Sequence, residues 1–362
     1  MRRVGTALAR RRFVAQLGGA AITAIVSPHA LAQAQAQAQA NSWRDETWRD
    51  PARSRDLPLR LRLPAGADSG ADASGAAASW PVVLHSHGLG GSREGGDVWG
   101  RAWQDAGMLV VHLQHPGSDI DTLRQGLPAL RAAASAEQLL ARVADVRFVL
   151  DEITRRQAQG VAPWSGARVS AVGLAGHSFG AQTTQAVAGQ RFPVPVSARD
   201  PRIAAFIALS PNPARSSQTL TTQSLVQQLG AVDRPFMVVT GSSDGDPLGR
   251  TSDVAEAAAA RASVFEGLPA GQRGLLWLAG ADHMTFAGNA AQRIAGRGPF
   301  QRDTVAQQRE SSHHALTARI TRLWWQAHLS ADPAVIAAAR HALRSADGLA
   351  NGLADGDRLQ ID

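Results

Sequence analysis

Three observations predict an α/β fold built on a mostly parallel sheet with helices on both faces. Apolar runs of strand length alternate with helical stretches along most of the chain. The run from Arg168 to Leu174 passes through Gly176-His177-Ser178-Phe179-Gly180 straight into a helical stretch, Ala181 to Gly189. Two later strands end in loops carrying Asp244 and His283, where an open parallel sheet gathers its active site.

The first residues are read as a targeting segment rather than fold. Arg2, Arg3, Arg10, Arg11 and Arg12 precede an apolar run, Phe13 to Val26, that is short for a bilayer span. Ala30-Leu31-Ala32 supplies an A-x-A cleavage pattern, so residues 1–32 read as a signal peptide. Arg10-Arg11-Arg12-Phe13-Val14 resembles the twin-arginine motif. An exported protein, periplasmic or secreted and with no stable membrane span after cleavage, is expected. Removing the segment also changes the charge. Five of 37 basic residues and none of 30 acidic ones fall in it, so the net charge drops from +7 to +2. With no basic stripe interleaved with aromatics, nucleic acid is not an expected partner. The chain has no Cys, which excludes disulfides, thiol catalysis and thiolate metal sites.

Residues 33–45 begin with a Gln-Ala repeat and read as a disordered spacer. Residues 46–330 are expected to form one catalytic domain, and 331–362 a C-terminal helical extension. Asp56 to Pro64 alternates leucines with polar residues or proline, as in a half-buried antiparallel strand at the sheet edge. Pro81 to His85, Met108 to Leu113, Ile203 to Leu209 and Pro235 to Thr240 read as further strands, and Leu275 to Leu278 as the last. Pro128 to Gln159 repeats Leu139, Val143, Val146, Leu150 and Ile153 at helical spacing, and Thr304 to Leu329 reads as a closing amphipathic helix.

Strand, G-x-S-x-G and helix in that order make a nucleophile elbow. Its serine sits at positive φ, and the flanking glycines let strand and helix approach. Ser178 is therefore the candidate nucleophile. Acyl transfer also needs a base, an acid to orient it and donors for the oxyanion, in the chain order Ser, acid, His. His283 is the candidate base. Asp244 is preferred as the acid, standing third after Gly241, with Asp246 and Asp282 as alternatives; Asp282 adjoins His283 and is poorly placed to reach its imidazole. The glycine-rich loop His87-Gly88-Leu89-Gly90-Gly91 offers backbone N–H groups. The expected oxyanion donors are the N–H groups of Leu89 and Phe179. His87, Gly88, His177 and Ser210 are candidates to border the substrate. His313 and His314 are expected to be solvated on a polar helix. Trp99, Trp103 and Trp164 are read as packing rather than site walls. His85 and His87 share a strand face without a third ligand, so no metal is expected.

Four segments in order carry a family resemblance. They are Ser86 to Gly95, His115-Pro116-Gly117-Ser118, Gly176 to Gly180, and Gly280-Ala281-Asp282-His283. Together they resemble the α/β-hydrolases named predicted dienelactone hydrolases, relatives of the platelet-activating-factor acetylhydrolases. The resemblance runs from about Glu46 to His328 and implies the α/β-hydrolase fold. It implies a serine esterase with Ser178 as nucleophile, His283 as base, Leu89 and Phe179 as donors, and no cofactor. Two departures matter. True dienelactone hydrolases use cysteine, which this chain lacks. The acetylhydrolases take their acid from the strand after the nucleophile, where this chain has Ser210-Pro211-Asn212, so the next loop and Asp244 are favoured. The aromatic clamp of polyester hydrolases includes a tyrosine, and this chain has none. The expected activity is hydrolysis of small-molecule, lipid or polyester esters through an acyl-enzyme. Acyl transfer or amide cleavage by the same triad, and a non-catalytic binding protein of this fold, are the alternatives.

Overall fold

A computed structural model describes residues 43–67, 79–192, 198–214, 221–249, 251–289, 302, 304–345 and 352–362. The expected signal peptide and most of the spacer lie outside them. Nine strands form one sheet: β1 (Trp43–Asp50), β2 (Arg55–Arg62), β3 (Trp80–Ser86), β4 (Leu109–Leu113), β5 (Ala167–His177), β6 (Ile203–Leu209), β7 (Phe236–Ser243), β8 (Arg273–Asp282) and β9 (Arg358–Ile361). Their spatial order is β1-β2-β4-β3-β5-β6-β7-β8-β9. The six strands from β4 to β8 run parallel, while β1, β2 and β9 pair antiparallel at the ends.

The helices are α1 (Asp97–Asp105), α2 (Ile120–Arg124), α3 (Leu127–Ala132), α4 (Ala136–Ala158), α5 (Phe179–Ala188), α6 (Thr222–Leu229), α7 (Val254–Gly267), α8 (Thr304–Gln308), α9 (Glu310–Leu329) and α10 (Pro333–Arg344). Alternate residues of the central strands feed two cores. Val82, Leu84, Phe206 and Ala208 join α4, α5, α6 and α7 on one face. Val83, Ala205, Ile207 and Leu209 join α1, α9 and α10 on the other. This is why those strands read as continuous apolar runs: both faces are covered. Among the described residues, no helix is long and apolar enough to cross a membrane.

Several expectations change. The Asp56 to Pro64 strand is antiparallel but not at the edge, because β1 pairs along its whole length. β1 starts at Trp43, inside the stretch read as spacer, and its alternation of exposed charge with the buried Trp48 is that of a strand open to water on one side. The C-terminal segment contains a strand as well as a helix: β9 pairs with β8, which is therefore not the last strand. The long helical region is broken at Ser135, whose side chain caps α4 by accepting from the Gln138 N–H. His313 is buried and donates to the Ala279 carbonyl, and His314 donates to that of Thr285; neither is a solvated surface group. Trp99, Trp103 and Trp164 are fully buried in the cores.

Candidate active site

Parallel register brings the carboxyl ends of the central strands together. Ser86 at the end of β3 lies beside Gly176 of β5, His177 beside Leu209 of β6, and Leu209 beside Val239 of β7. Ser178 sits between β5 and α5 with φ 55° and ψ −112°. An L-residue is strained there, and surrounding contacts must hold it. The Ser178 N–H donates to the Leu209 carbonyl at 2.9 Å, tying the turn to β6. The two glycines of G-x-S-x-G are required by space. A Cβ on Gly176 would lie 2.2 Å from the Gly180 carbonyl oxygen, and one on Gly180 would lie 1.9 Å from that of Ser86. Strand, helix and neighbouring strand meet backbone to backbone.

Two other loops converge on the Ser178 hydroxyl. His283 opens a 3₁₀ turn, His283–Ala287, directly after β8. Its Nε2 lies 2.9 Å from Ser178 Oγ, and its Nδ1–H donates to Asp244 Oδ1 at 2.8 Å. That tautomer leaves Nε2 free to accept the serine proton. Asp244, just past β7, is fully buried. Thr240 Oγ1 donates to its Oδ2 at 2.8 Å. Asp246, the first alternative acid, instead lines the cavity and caps a turn by accepting from the Leu248 N–H. Asp282 accepts from the Thr285 N–H and hydroxyl and pairs with Arg302, which fixes the turn that presents His283.

Ser210 and Arg261 add to this array. Ser210, at φ 57°, is buried and not among the cavity-lining residues. Its hydroxyl donates to Asp244 Oδ2 and accepts from His283 Nδ1–H at 2.9 Å. The expectation that it borders substrate is therefore replaced by a place inside the hydrogen-bonded array. Arg261 of α7 joins it without a motif to mark it in the sequence. It is buried, with Nε 2.9 Å from Asp244 Oδ1; the Nε–H donates to the Asp244 main-chain carbonyl at 3.0 Å, and its other donors meet the carbonyls of Ser210, Pro211 and Gly245. Burial pushes the Asp244 carboxyl up, but the Arg261 charge and the bonds from His283 and Ser210 outweigh it and leave its pKa lowered to about 2. Burial and then Arg261 lower the His283 pKa, against the pull of Asp244. At neutral pH the pair is carboxylate and neutral imidazole.

A cavity of about 580 Å³ opens at Ser178, within the size range of small-molecule sites. His87, Gly88, Leu89, His177 and Phe179 line it. Phe179 is the first residue of α5, where a backbone N–H has no acceptor within the helix. Leu123, Leu130, Leu139 and Phe192 form an apolar wall, while Gln182, Asn212, Asp246 and Glu256 make other parts polar. His177 donates to the His283 carbonyl at 3.0 Å, so its ring supports the histidine turn from below. Among the described residues, no group of three His, Asp or Glu is arranged to hold a metal ion.

No protein-family model matches the chain, and no curated protein matches it. Solved structures do. A ferulic acid esterase from Streptomyces cinnamoneus is similar at 19% identity with a TM-score of 0.50, covering 81% of this chain and 91% of its own. A dienelactone hydrolase from Anabaena variabilis is similar at 14% identity with a TM-score of 0.48, covering 80% of this chain and 100% of its own. At these identities the likeness to the esterase is one of fold.

Proposed function

Starting from an α/β-hydrolase fold, we propose that the protein is a serine hydrolase that cleaves carboxylic esters through an acyl-enzyme, with Ser178, His283 and Asp244 as its triad. The observation that carries the reading is the unbroken chain Ser178 Oγ, His283 Nε2, His283 Nδ1, Asp244 Oδ1, with links of 2.9 and 2.8 Å, behind a serine at φ 55°. His283 takes the hydroxyl proton as Ser178 attacks the ester carbonyl, and the Asp244 carboxylate stabilises the imidazolium. The oxyanion is received by the N–H groups of Phe179 and Leu89, each such donor typically worth about 3–4 kcal/mol of barrier. His283 then protonates the leaving alcohol, and the same histidine activates the water that releases the acid. Arg261 and Ser210 hold Asp244 ionised and aligned.

The apolar wall of Leu123, Leu130, Leu139 and Phe192 favours a small ester with an apolar portion. The arginine-rich, A-x-A-ended N-terminus supports export, to the periplasm or beyond. The functional test is hydrolysis of p-nitrophenyl esters of increasing acyl length by the protein and by Ser178→Ala. Turnover that vanishes in the variant supports the reading; equal rates in both remove Ser178 from the chemistry.

A further inference from the structure

The His115-Pro116-Gly117-Ser118 segment has no part in the reaction above, yet it sits in a dense buried network. Ser86 donates to His115 Nε2 at 2.9 Å, and His115 Nδ1–H donates to Asp145 at 2.9 Å. All three are fully buried, so this second Ser-His-Asp row meets no substrate. Its bonds lead to the oxyanion loop instead. The His115 N–H donates to His87 Nε2 at 3.0 Å, which leaves Nδ1 as the protonated nitrogen of His87. That Nδ1–H donates to the Gly88 carbonyl at 2.6 Å, and the Gly91 N–H reaches the same oxygen at 3.0 Å. In a planar trans peptide the C=O and N–H point in opposite directions, so fixing the Gly88 carbonyl fixes the direction of the Leu89 N–H.

One buried cation ties this loop to the other donor. Arg142 of α4 is fully buried. Its Nη1 donates to the His87 carbonyl at 2.7 Å, Nε to Ser118 Oγ at 2.8 Å and Nη2 to the Ser118 carbonyl at 3.2 Å. The Ser118 carbonyl also accepts from the Gly90 N–H at 2.9 Å. The guanidinium carbon lies 4.5 Å from the centre of the Phe179 ring. One side chain therefore touches the loop that carries Leu89, the turn that braces it, and the residue that supplies the other N–H. Burial lowers the Arg142 pKa to about 9, with Asp145 and Asp119 opposing, so it remains a cation at neutral pH.

We propose that Arg142 is a positioning residue for the oxyanion hole, holding the His87–Gly91 loop and Phe179 as one body so that the N–H groups of Leu89 and Phe179 keep a fixed separation. The proposal rests on the hydrolase reading above. It explains why a bare guanidinium occupies a core: its fork geometry spans two carbonyls and a hydroxyl, which an ammonium or an apolar side chain cannot do.

The test compares the full chain with Arg142→Lys and Arg142→Met. It reads p-nitrophenyl ester kinetics, the pH midpoint of the acid limb, thermal stability, and the rate at which a fluorophosphonate labels Ser178. Loosening one donor of a pair worth a hundredfold or more each predicts that kcat falls about tenfold or more in Arg142→Met and severalfold in Arg142→Lys. KM is expected to stay within about twofold and the acid-limb midpoint to stay in place, because the array of Ser178, His283 and Asp244 is untouched. Labelling slows by the same factor as kcat, since the phosphonyl oxygen occupies the same donors. A folded Arg142→Met with wild-type kcat, or a loss carried by KM or by a shifted midpoint, overturns the proposal. Should Arg142→Met not fold, Ser118→Ala decides: removing one acceptor predicts a severalfold drop in kcat alone, and unchanged kcat overturns it. If Ser178 is unlabelled in the wild-type protein, the hydrolase reading itself fails. If it is labelled equally fast in every variant, only the role of Arg142 fails.

Discussion

Replacing Arg261 with Met removes a buried positive charge in contact with Asp244, and its consequences can be worked from the geometry. Both groups are buried and Nε lies 2.9 Å from Oδ1. With charge centres about 4 Å apart and an effective dielectric of about 20, the attraction is about 4 kcal/mol. Breaking a buried pair by removing one partner costs about 3–5 kcal/mol, because the other charge stays buried and uncompensated. The four main-chain carbonyls that Arg261 serves, those of Asp244, Ser210, Pro211 and Gly245, lose a donor as well. Chemical denaturation of Arg261→Met should therefore show a loss of about 3–5 kcal/mol. The catalytic effect has a definite sign. Arg261 disfavours the imidazolium of His283, so its removal raises the His283 pKa. The acid limb of kcat/KM for a p-nitrophenyl ester should move to higher pH, with less activity remaining just below neutrality. Wild-type stability together with an unmoved acid limb in Arg261→Met would show that this residue does not set the charge states of Asp244 and His283.

Three further outcomes are expected. Gly180→Ala places a Cβ 1.9 Å from the Ser86 carbonyl oxygen, a backbone atom that cannot step aside, so esterase activity should fall by orders of magnitude even in folded protein. Ser210→Ala removes a hydroxyl bonded to both Asp244 and His283, leaving Thr240 on the carboxylate; losing one bond to a charged group predicts a kcat about tenfold lower, read by steady-state kinetics. Buried neutral histidines make stability fall with acid. Folded pKa values of about 3 for His112 and about 4 for His115 lie below the ordinary 6.5, so the unfolded chain binds more protons, and the stability is present above 6.5 and lost as pH falls toward the folded values. At about pH 5 each contributes a loss of about 2 kcal/mol, visible as a steep drop in melting temperature below pH 6.

The parts of the site legible in the sequence are those whose chemistry is local. A strand, two glycines around a serine and a helix must be contiguous to make the elbow, so the candidate Ser178 and its strained turn are marked by local sequence. Asp244 and His283 each stand at a strand end, and their loops betray them by residue type. Arg261 leaves no such mark. It lies within the alanine-rich Val254–Gly267 helix, and only packing of that helix under the β7 loop brings its guanidinium to Asp244. The strand-end place of Ser210 is legible in the sequence, but the bonds of its hydroxyl to Asp244 and His283 are not, because they depend on loops far away in the chain. The two end strands were missed for related reasons. β1 is mostly charged and resembles a linker until its pairing with β2 is known, and β9 is four residues that depend on β8 for every ladder bond. The polar neighbours of His313 and His314 in sequence suggest solvent, but folding brings the carbonyls of Ala279 and Thr285 to them as partners.

In the proposed reaction Ser178 carries the acyl group. The most direct measurement is acid-quenched mass spectrometry of the protein after reaction with p-nitrophenyl trimethylacetate, whose hindered acyl group slows deacylation. An acyl adduct confined to the peptide containing Ser178, accompanied by a stoichiometric burst of p-nitrophenol and absent from Ser178→Ala, is the predicted result. Turnover with no adduct at Ser178, or an adduct that persists at another residue in Ser178→Ala, would contradict it.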